Sequence, residues 1–499
     1  MEYGIEHIKR SNNKIVNSHR KTIFGITLIF IIILSLLNLS ISFKPVKGYQ
    51  GSITIEADGS INPKDAPIET SDKVTYKLTD HIFTDSFAIN ILRSNIVLDG
   101  AGYTIIGSGN FSGILVNGKN VAIKNINIRG FFSGISARGD NCIITKNKIE
   151  ENNGHGIEVI KNSNCIITEN ILTNNKELGI YASKVSSIII FKNNIEKSNI
   201  GIQLLESANS IIIDNNFMLI QYDSISVGTS NNITVSHNKI ENGFTGILSP
   251  SAGITVFQSS NSTIKYNMIK ESNYGVTIFI SSHNTLSGND IENTNHGIEL
   301  MQSSYISINY NIIQNNKNGI YLIRSTTNTV NNNIIKNNEA GIRVQNSSQN
   351  IIYNNNFINN TLQVADDYKF ISNIFPSTNN WDNGYPVGGN YWSNYSGKDE
   401  KKGPNQDIPG SDDIVDVPYV IYSKNKDNYP FVKSLMINIT TPPIPNITIP
   451  TLTIETSSTK TYTTQTLQFD FSFLIILLII IIAIVTVIAI VRIIRKYKA

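Results

Sequence analysis

Hydrophobic and polar residues alternate along most of this chain, and the alternation itself repeats every 21 to 23 residues. Its clearest marker is a glycine followed by Ile or Val, with Ser224-Ile225 in one slot and a single longer spacing of 29 residues. The glycines are Gly113, Gly134, Gly156, Gly179, Gly201, Gly246, Gly275, Gly297, Gly319 and Gly341. A fixed period of this length indicates a repeat architecture in which each unit contacts mainly its neighbours.

An asparagine recurs with the same period. Aliphatic or aromatic residues stand three positions before it and two positions after it, as Ile144 and Ile149 do around Asn147. The asparagines are Asn147, Asn170, Asn193, Asn215, Asn238, Asn267, Asn289, Asn311, Asn333 and Asn355. Because residues two apart share one face of a strand, each repeat predicts three short strands with one buried face. We expect the asparagines to form a ladder of amide hydrogen bonds at a turn, and the glycine before Ile to adopt a positive φ.

The repeat predicts an all-β fold, a single-stranded parallel β-helix solenoid with about 22 residues and three strands per coil. A leucine-rich repeat has a similar length, but the chain lacks its leucine consensus and a helical half. The longer spacing predicts an insertion around residues 248–257. We interpret the insertion as a surface loop, a type of segment that also carries function in many proteins.

The ends of the chain depart from the repeat. Residues 49–110 are strand-like but out of phase, which predicts an N-terminal cap with the first coils, and the β-helix repeats then occupy residues 111–375. Residues 376–436 contain both tryptophans and predict a C-terminal cap, because an open solenoid end is an unpaired sheet edge. Residues 437–468, rich in Thr and Pro, predict an extended stalk.

Two uncharged apolar runs, residues 22–43 and 471–491, are each long enough to cross a membrane as a helix. Basic segments lie outside them, at residues 1–21 and 492–499, which predicts cytoplasmic termini and an extracellular portion over residues 44–470. The first run is either a signal peptide or a retained signal anchor, and the second is predicted to be a transmembrane helix. The remaining charge is slightly acidic, so nucleic acid is not an expected partner.

The predicted extracellular portion also contains eight Asn-x-Ser/Thr sequons. They are Asn110, Asn232, Asn261, Asn346, Asn359, Asn394, Asn438 and Asn446. The sequence therefore predicts a glycoprotein of the cell membrane with an extracellular ectodomain.

Several segments resemble the NosD-like family of β-helix proteins. They are SITIEADGSINPKDAPIE and NIVLDGAGYTIIG near the N-terminus, the N-x-I…GI coils, and GGNYWSNYSGKD…DDIVDVPYVI…DNYPF near the C-terminus. The similarity covers about residues 52–435. This is the periplasmic copper-binding-type family with carbohydrate-binding and sugar-hydrolysis (PbH1) repeats, abundant among archaeal surface proteins. The resemblance implies a right-handed helix and a cell-surface location, but it implies little about activity because a fold does not fix a function.

The family name raises copper as a cofactor. The histidines of the predicted extracellular portion are His81, His155, His237, His283 and His296. A copper site requires several imidazole or sulfur ligands that converge. His155 and His296 share one repeat position but lie six coils apart, about 29 Å at the strand spacing, so they cannot bind one metal. We interpret the histidines as surface residues of turns, and the sequence argues against copper.

Polysaccharide cleavage is the main enzymatic use of this fold among similar proteins. Hydrolysis requires two carboxylates that face one groove, and lyases of this shape resemble one another in an acidic calcium cluster beside a basic residue. The outward position after Gly-Ile reads Glu158, Tyr181, Gln203, Ser226, Leu248, Thr277, Glu299, Tyr321 and Arg343. Neighbouring coils carry no carboxylate pair there. A polysaccharide lyase or glycoside hydrolase is therefore the alternative to a non-catalytic role in surface recognition or envelope structure.

Recognition of a polysaccharide or glycoprotein requires aromatic surfaces and amide or hydroxyl hydrogen bonds. The candidates are two tyrosines that precede ladder asparagines and four aromatic residues of the cap: Tyr266, Tyr310, Trp381, Tyr391, Trp392 and Tyr395. The two tyrosines are expected to point outward. The alternative is that they are ordinary solvated side chains that bind no ligand. Packing within the cap is the alternative for the other four.

The cap also contains aspartates that are candidates for calcium: Asp407, Asp412, Asp413 and Asp416. The resemblance implies an Asp/Gly-rich loop at this point. Asp413 and Val415 stand where the family has glycines, which puts the geometry of a calcium loop in doubt.

Cys142 and Cys165 are the only cysteines, and each lies five residues before its ladder asparagine. The two residues therefore lie on adjacent coils at a distance that permits a disulfide, which an extracellular compartment would preserve. Two buried thiols are the alternative.

Overall fold

The computed structural model describes residues 48–241, 251–369, 376–422 and 424–447. These residues form a right-handed parallel β-helix, which confirms the predicted fold and its three-strand coil. Each coil contributes one strand to each of three sheets, here named sheets A, B and C. Along the chain the strands follow in the order B, C, A, and the ladder asparagine lies in the turn between the sheet C strand and the sheet A strand.

Sheet A contains the strands Tyr49–Gln50, Ile82–Phe83, Thr104–Ile106, Asn127–Arg129, Lys148–Glu150, Ile171–Thr173, Asn194–Glu196, Asn216–Met218, Lys239–Glu241, Met268–Lys270, Asp290–Glu292, Ile312–Gln314, Ile334–Lys336, Asn356–Ile358 and Tyr391–Trp392. Sheet B contains the strands Ile61–Asn62, Ile53–Ile55, Ile89–Ile91, Ser112–Val116, Ser133–Ala137, His155–Ile160, Leu178–Ser183, Ile200–Leu205, Ile225–Gly228, Ala252–Phe257, Tyr274–Phe279, His296–Met301, Asn318–Ile323, Ala340–Gln345 and Leu362–Asp366. Sheet C contains the strands Ile68–Glu69, Thr75–Leu78, Ile96–Asp99, Val121–Lys124, Ile143–Thr145, Ile166–Thr168, Ile189–Phe191, Ile211–Ile213, Thr234–Ser236, Thr263–Lys265, Thr285–Ser287, Ser307–Asn309, Thr329–Asn331 and Ile351–Tyr353.

Antiparallel pairs occur at both ends of the helix. At the N-terminal end, Ile61–Asn62 pairs with Ile53–Ile55, and Ile68–Glu69 pairs with Thr75–Leu78. Beyond the last coil lie a 3-10 helix and two short hairpins, with the bounds Asp367–Lys369, Lys401–Lys402 with Ile408–Pro409, and Tyr419–Tyr422 with Asn425–Asp427. The two N-terminal pairs extend sheets B and C at the end that the stacked coils would otherwise leave open, and the two hairpins form separate two-stranded sheets.

The interior is filled by aliphatic side chains at alternate strand positions. In one sheet B strand, Ile320 and Leu322 are fully buried, whereas Tyr321 between them is half-exposed. Most of the buried hydrophobic residues form one continuous cluster from Ile53 to Trp392, and a smaller second cluster consists of Ala122, Ile143, Ile166, Phe191 and Ile213. Because burying one such side chain contributes roughly 1.5–3 kcal/mol, stacking supplies the stability that a single coil lacks.

The asparagines form the expected ladder. The Nδ2 of Asn147 donates to Oδ1 of Asn170 at 3.0 Å and to the carbonyl oxygen of Ile123 at 3.1 Å. The same amide-to-amide bond recurs from coil to coil as far as Asn355, which donates in turn to Asn390. The ladder thus satisfies polar groups that the turns bury in the interior.

The prediction of a positive φ for the glycine before Ile was wrong. The glycines with positive φ lie elsewhere, and in the ladder turn it is the residue before Asn, such as Lys146 at φ 56°, that takes this conformation. Glycine is required before Ile for space. A Cβ on Gly297 would lie 2.6 Å from the carbonyl oxygen of Gly319 and 2.7 Å from Cγ2 of Ile313.

The predicted position of the insertion was also wrong. Ile254 pairs with Ile225 on one side and Val276 on the other, so Gly253 rather than Gly246 occupies the repeat position. Residues 252–257 form a regular sheet B strand, and the extra residues precede it. The outward residue of this coil is therefore Thr255, where the sequence analysis placed Leu248.

Both predicted membrane segments, residues 22–43 and 471–491, lie outside the described residues. Within the described ranges, no helix has the length and apolar character that a membrane crossing requires.

Candidate ligand-binding face

The outer side of sheet B, from His155–Ile160 to Ala340–Gln345, carries the chemically richest side chains of the coils; we name it the sheet B face. Its strands are up to six residues long, against three in the regular coils of sheet A. Three columns of residues run across it: the residue before Gly-Ile, which begins each strand and is buried in several coils, and two outward columns, the residue after Gly-Ile and the residue two positions further on.

His296 lies between two tyrosines on this face. The centroid of its ring is 5.1 Å from that of Tyr274 on the preceding coil and 5.0 Å from that of Tyr321 on the following coil, both in edge-on geometry. Its Nδ1 lies 2.5 Å from Oε2 of Glu299, which is only 5% exposed. The carboxylate fixes the ring orientation and leaves Nε2 as the nitrogen available to other groups.

Tyr321 connects His296 to a partly buried ion pair between Arg343 and Asp367. Its hydroxyl donates to Oδ2 of Asp367 at 2.6 Å and lies 2.9 Å from Oε1 of Gln345. Asp367 is 1% exposed, and its Oδ1 accepts from Nε of Arg343 at 2.7 Å. Burial, and then the hydrogen bond to Asp367, raise the pKa of Tyr321, so this hydroxyl stays protonated at physiological pH.

A second constellation with the same residue types lies around His155. Its ring centroid is 5.6 Å from that of Phe132 on the preceding coil and 5.2 Å from that of Tyr181 on the following coil. Glu158 accepts a 2.7 Å hydrogen bond from Ser136 Oγ, and Nδ1 of His155 is buried without a hydrogen-bond partner within the described part of the chain. Burial lowers the pKa of His155, so its imidazole is neutral at neutral pH.

Polar side chains, one carboxyl and apolar rings separate the two constellations. The column after Gly-Ile reads Tyr181, Gln203, Ser226, Thr255, Thr277 and Glu299. Asp223 lies beside this column. Burial raises the pKa of its carboxyl to about 6, although the hydrogen bonds from Thr255 and Ser226 lower it in part. In the third column Phe257 stacks on Phe279 with ring centroids 5.4 Å apart.

The two tryptophans predicted as candidate ligand-binding residues are part of the core. Trp381 and Trp392 are 0% and 1% exposed, which agrees with the alternative of packing within the cap. Trp392 stacks between Phe357 and Tyr419, with ring centroids 4.4 and 4.6 Å apart. It also donates from Nε1 to Asp427, which ties the cap to the last coil.

The other predicted aromatic residues lie away from the sheet B face. Tyr391 extends sheet A, and Tyr395 is tied to the cap by a 2.9 Å hydrogen bond from its hydroxyl to the carbonyl oxygen of Val417. Tyr266 and Tyr310 lie on the turn between sheets C and A, where Tyr310 is exposed. The structure therefore does not bring the six predicted aromatic residues together.

The four aspartates predicted to bind calcium do not converge either. Asp412 accepts from the backbone of Gly403, Asp416 accepts from the backbone of Lys401, and Asp413 pairs with Lys433 at 2.9 Å. Asp407 is exposed on the hairpin. Three of the four carboxylates therefore interact with donors of the cap, and calcium binding here stays a prediction.

Cys142 and Cys165 are joined by a disulfide between adjacent coils, with their Cα atoms 4.6 Å apart. Both side chains are buried in the main core cluster. The bond lies in the turns between sheets B and C, and because both cysteines are 1% exposed it contributes no exposed group to the sheet B face.

Most residues of the face stand out singly in the sequence, but their grouping does not. The overlooked signal is the tetrapeptide His-Gly-Ile-Glu, which occurs at residues 155–158 and again at residues 296–299. Each copy is followed one coil later by Gly-Ile-Tyr, at residues 179–181 and 319–321. The repetition identifies both constellations.

Two family models match the chain. Residues 218–397 match the periplasmic copper-binding protein family NosD, and residues 112–251 match the right-handed beta helix region. No curated protein sequence matches significantly.

Solved structures with similar folds include the A-module of the mannuronan C-5 epimerase AlgE6 from Azotobacter vinelandii, at 14% identity and a TM-score of 0.37, covering 60% of this chain and 89% of that one. An alginate lyase from Paenibacillus sp. matches at 14% identity and a TM-score of 0.38, covering 47% and 95%. The surface adhesin PfbA of Streptococcus pneumoniae matches at 13% identity and a TM-score of 0.39, covering 54% and 84%. These similarities concern the β-helix fold alone.

The described residues do not fit the copper that the family name implies. Among them, no three His, Cys, Asp or Glu side chains are grouped so that they could hold a metal ion. The two cysteines are bonded to each other, and His155 and His296 are separated by six coils. We therefore derive no metal chemistry for this chain.

Proposed function

Because the chain is a NosD-like right-handed parallel β-helix protein, we propose that it is a membrane-anchored cell-surface protein that binds glycans on the sheet B face. The observation that carries the proposal is the row Tyr274–His296–Tyr321, with ring centroids 5.1 and 5.0 Å apart and Glu299 beneath it. The membrane and a polysaccharide or glycoprotein are its proposed partners.

The row combines the two kinds of contact that a sugar requires. The C–H faces of a pyranose pack against aromatic rings, and its hydroxyls need hydrogen-bonding groups held in fixed positions. The hydrogen bonds of Glu299 and Asp367 hold the rings of His296 and Tyr321 in place. A face fixed in this way loses little conformational entropy when a ligand binds.

The surface location rests on the sequence. Residues 471–491 form an uncharged apolar run followed by basic residues, and residues 437–468 form a Thr/Pro-rich segment between this run and the β-helix. Anchored there, the sheet B face would be presented outside the membrane.

The test is a glycan array probed with the full-length chain reconstituted in lipid nanodiscs. We expect saturable binding that the change Tyr321→Ala weakens at least about tenfold, since removal of a central aromatic anchor costs 2 kcal/mol or more, at about 1.4 kcal/mol per tenfold. The matched control is Tyr305→Asn, which removes a tyrosine that is 56% exposed on a turn away from the face. Absence of binding to every glycan, or equal losses in the two variants, would refute the proposal.

A polysaccharide-cleaving enzyme is the second candidate, and the His296–Glu299 pair favours it. A histidine oriented through Nδ1 by a carboxylate can take up or release a proton at Nε2, which is the arrangement of a general acid–base pair. Products with new reducing ends or unsaturated termini, lost in His296→Gln, would establish this activity. Binding without either product leaves recognition as the function.

A further inference from the structure

The His155 and His296 constellations share one arrangement of rings, although only His296 is hydrogen-bonded to the glutamate of its own strand, and Glu158 accepts from Ser136 instead. In each, a histidine precedes Gly-Ile-Glu, an aromatic ring contacts it from the preceding coil, and a tyrosine contacts it from the following coil. The four histidine-to-ring centroid distances lie between 5.0 and 5.6 Å. We name them the first and second subsites of the sheet B face.

The two subsites lie on one continuous surface. The strand that begins at His155 and the strand that begins at His296 belong to the same sheet and are separated by six coil steps. At a strand spacing of about 4.8 Å, the subsites are about 29 Å apart. An extended sugar chain advances by nearly one strand spacing per residue, so about six sugar residues would span them.

From these observations we propose that a single linear, uncharged oligosaccharide occupies both subsites and lies along the sheet B face between them. The inference rests on the proposed glycan binding and adds the class and length of the ligand. It also assigns His155, Glu158 and Tyr181 to the binding site as a second point of attachment.

The surface between the subsites suits an uncharged sugar chain. Gln203, Ser226, Thr255 and Thr277 form one column of polar side chains. The hydroxyls of Ser226 and Thr255 donate to Asp223, and Oγ1 of Thr277 is buried, so the amide of Gln203 is the group of this column with no such commitment among the described residues. Beside them, the stacked rings of Phe257 and Phe279 offer an apolar surface. A pyranose likewise has hydroxyl groups that bond to polar side chains and C–H groups that pack against apolar rings.

The charges of the face disfavour an acidic polysaccharide. Glu158 and Glu299 lie in the two subsites, and Glu177 lies 3.7 Å from Nδ1 of His155. The positive charge of Arg343, near the second subsite, is already neutralised by Asp367 at 2.7 Å. A uronate chain would therefore bring its carboxylates close to these carboxylates. None of the residues just named offers an unpaired positive charge to offset the repulsion.

The experiment is isothermal titration of the full-length chain in nanodiscs with β-1,4-linked oligosaccharides of glucose, N-acetylglucosamine and mannose. Lengths run from disaccharide to octasaccharide, and mannuronate oligosaccharides of the same lengths serve as the acidic counterpart of mannose. We expect short neutral chains to bind at two sites per protein. Chains of about six residues or more should bind at one site and at least about tenfold more tightly, because the second contact becomes intramolecular.

Variants at the first subsite test the bridging directly. Tyr181→Ala should reduce the affinity for the long chain to that for the short chain, and Tyr181→Phe, which keeps the ring, should retain most of it. Tyr305→Asn serves as the control for general effects of a tyrosine substitution, and circular dichroism checks that each variant folds.

The outcomes separate this inference from the proposed function. A stoichiometry of two at every length, or an unchanged long-chain affinity in Tyr181→Ala, overturns bridging but leaves glycan binding in place. Mannuronate chains that bind as tightly as mannose chains overturn the uncharged class. Failure of every glycan on the array and of every titrated chain overturns both proposals.

Discussion

The side-chain amide of Asn355 donates to Oδ1 of Asn390 at 3.0 Å, although the two residues are 35 positions apart in the chain. The preceding amide bonds of the ladder join residues 22, 23 or 29 positions apart. Asn390 in turn donates to the carbonyl oxygens of Ile352 and Trp381. The ladder therefore continues from the last regular coil into the cap and joins the two.

Loss of one ladder amide should destabilise the β-helix more than loss of an outer amide. Asn355→Ala removes the acceptor of the Nδ2 of Asn333 and the donor to the carbonyl oxygen of Val330, both buried. We expect a fall in the free energy of unfolding of roughly 1–3 kcal/mol per buried group left unsatisfied, measured by urea denaturation. Asn309→Ala, whose amide bonds only Ser307 on the outer side of sheet C, is the control. Equal losses in the two variants would contradict the structural role of the ladder.

The glycine before Ile should not tolerate a methyl group. In Gly297→Ala the Cβ would lie 2.6 Å from the carbonyl oxygen of Gly319, a backbone atom that cannot rotate away. Overpacking of this kind costs typically 1–3 kcal/mol, which thermal denaturation would register as a lower melting temperature. In the control Gly228→Ala, the new Cβ meets only the flexible end of Leu205, so a much smaller change is expected. A melting temperature of Gly297→Ala at or above that of the control would refute the steric explanation.

The sequence predicted the coils well because the repeat period is directly visible in the spacing of its residues. Aliphatic residues, glycine and asparagine each mark one strand or turn, and no long-range information is needed to align them. The same reasoning failed where two Gly-Ile pairs lie close together in the chain. Gly246-Ile247 and Gly253-Ile254 are seven residues apart, and only the pairing of Ile254 with Ile225 and Val276 identifies the second as the repeat position.

The candidate site was harder to predict for a geometric reason. Strict alternation in a strand places residues i and i+3 on opposite faces, yet Nδ1 of His296 lies 2.5 Å from Glu299. The histidine stands at the first position of its strand, beside the preceding turn, where alternation no longer fixes the side-chain direction. The tryptophans misled for the opposite reason, since composition identifies aromatic residues but does not reveal that Trp381 and Trp392 are buried.

The disulfide between Cys142 and Cys165 should contribute measurably to stability. It joins two residues that are 23 positions apart in the chain. For a closed loop of this length, the entropy lost by the unfolded chain predicts about 3 kcal/mol of stabilisation. Reduction, or the double change Cys142→Ala and Cys165→Ala, should lower the free energy of unfolding by about that amount. Thiol titration of the denatured, unreduced protein should find no free thiol. Two free thiols together with an unchanged stability on reduction would favour the buried-thiol alternative.

The last prediction concerns the buried carboxyl of Asp427 in the cap. It is fully buried and accepts hydrogen bonds from the backbone of Asn390 at 2.7 Å, from Nε1 of Trp392 at 2.9 Å and from the backbone of Tyr429 at 3.0 Å. Burial raises the pKa of Asp427 to about 7, and the donors offset only part of this rise. In the unfolded chain the pKa of an aspartate is about 3.9.

Between these two pKa values the folded protein binds a proton that the unfolded chain does not. The free energy of unfolding contributed by Asp427 should therefore be greatest below about pH 4, decline as the pH rises, and level off above about pH 7, by up to about 1.4 kcal/mol per pH unit. Asp427→Asn removes the titration, so the measurement is the urea midpoint of both proteins across this range. As the pH rises, the stability of the parent should fall relative to that of the variant. Asp223 titrates in both proteins, so its contribution cancels in this comparison. Parallel profiles would mean that the three donors hold the pKa of Asp427 near its ordinary value.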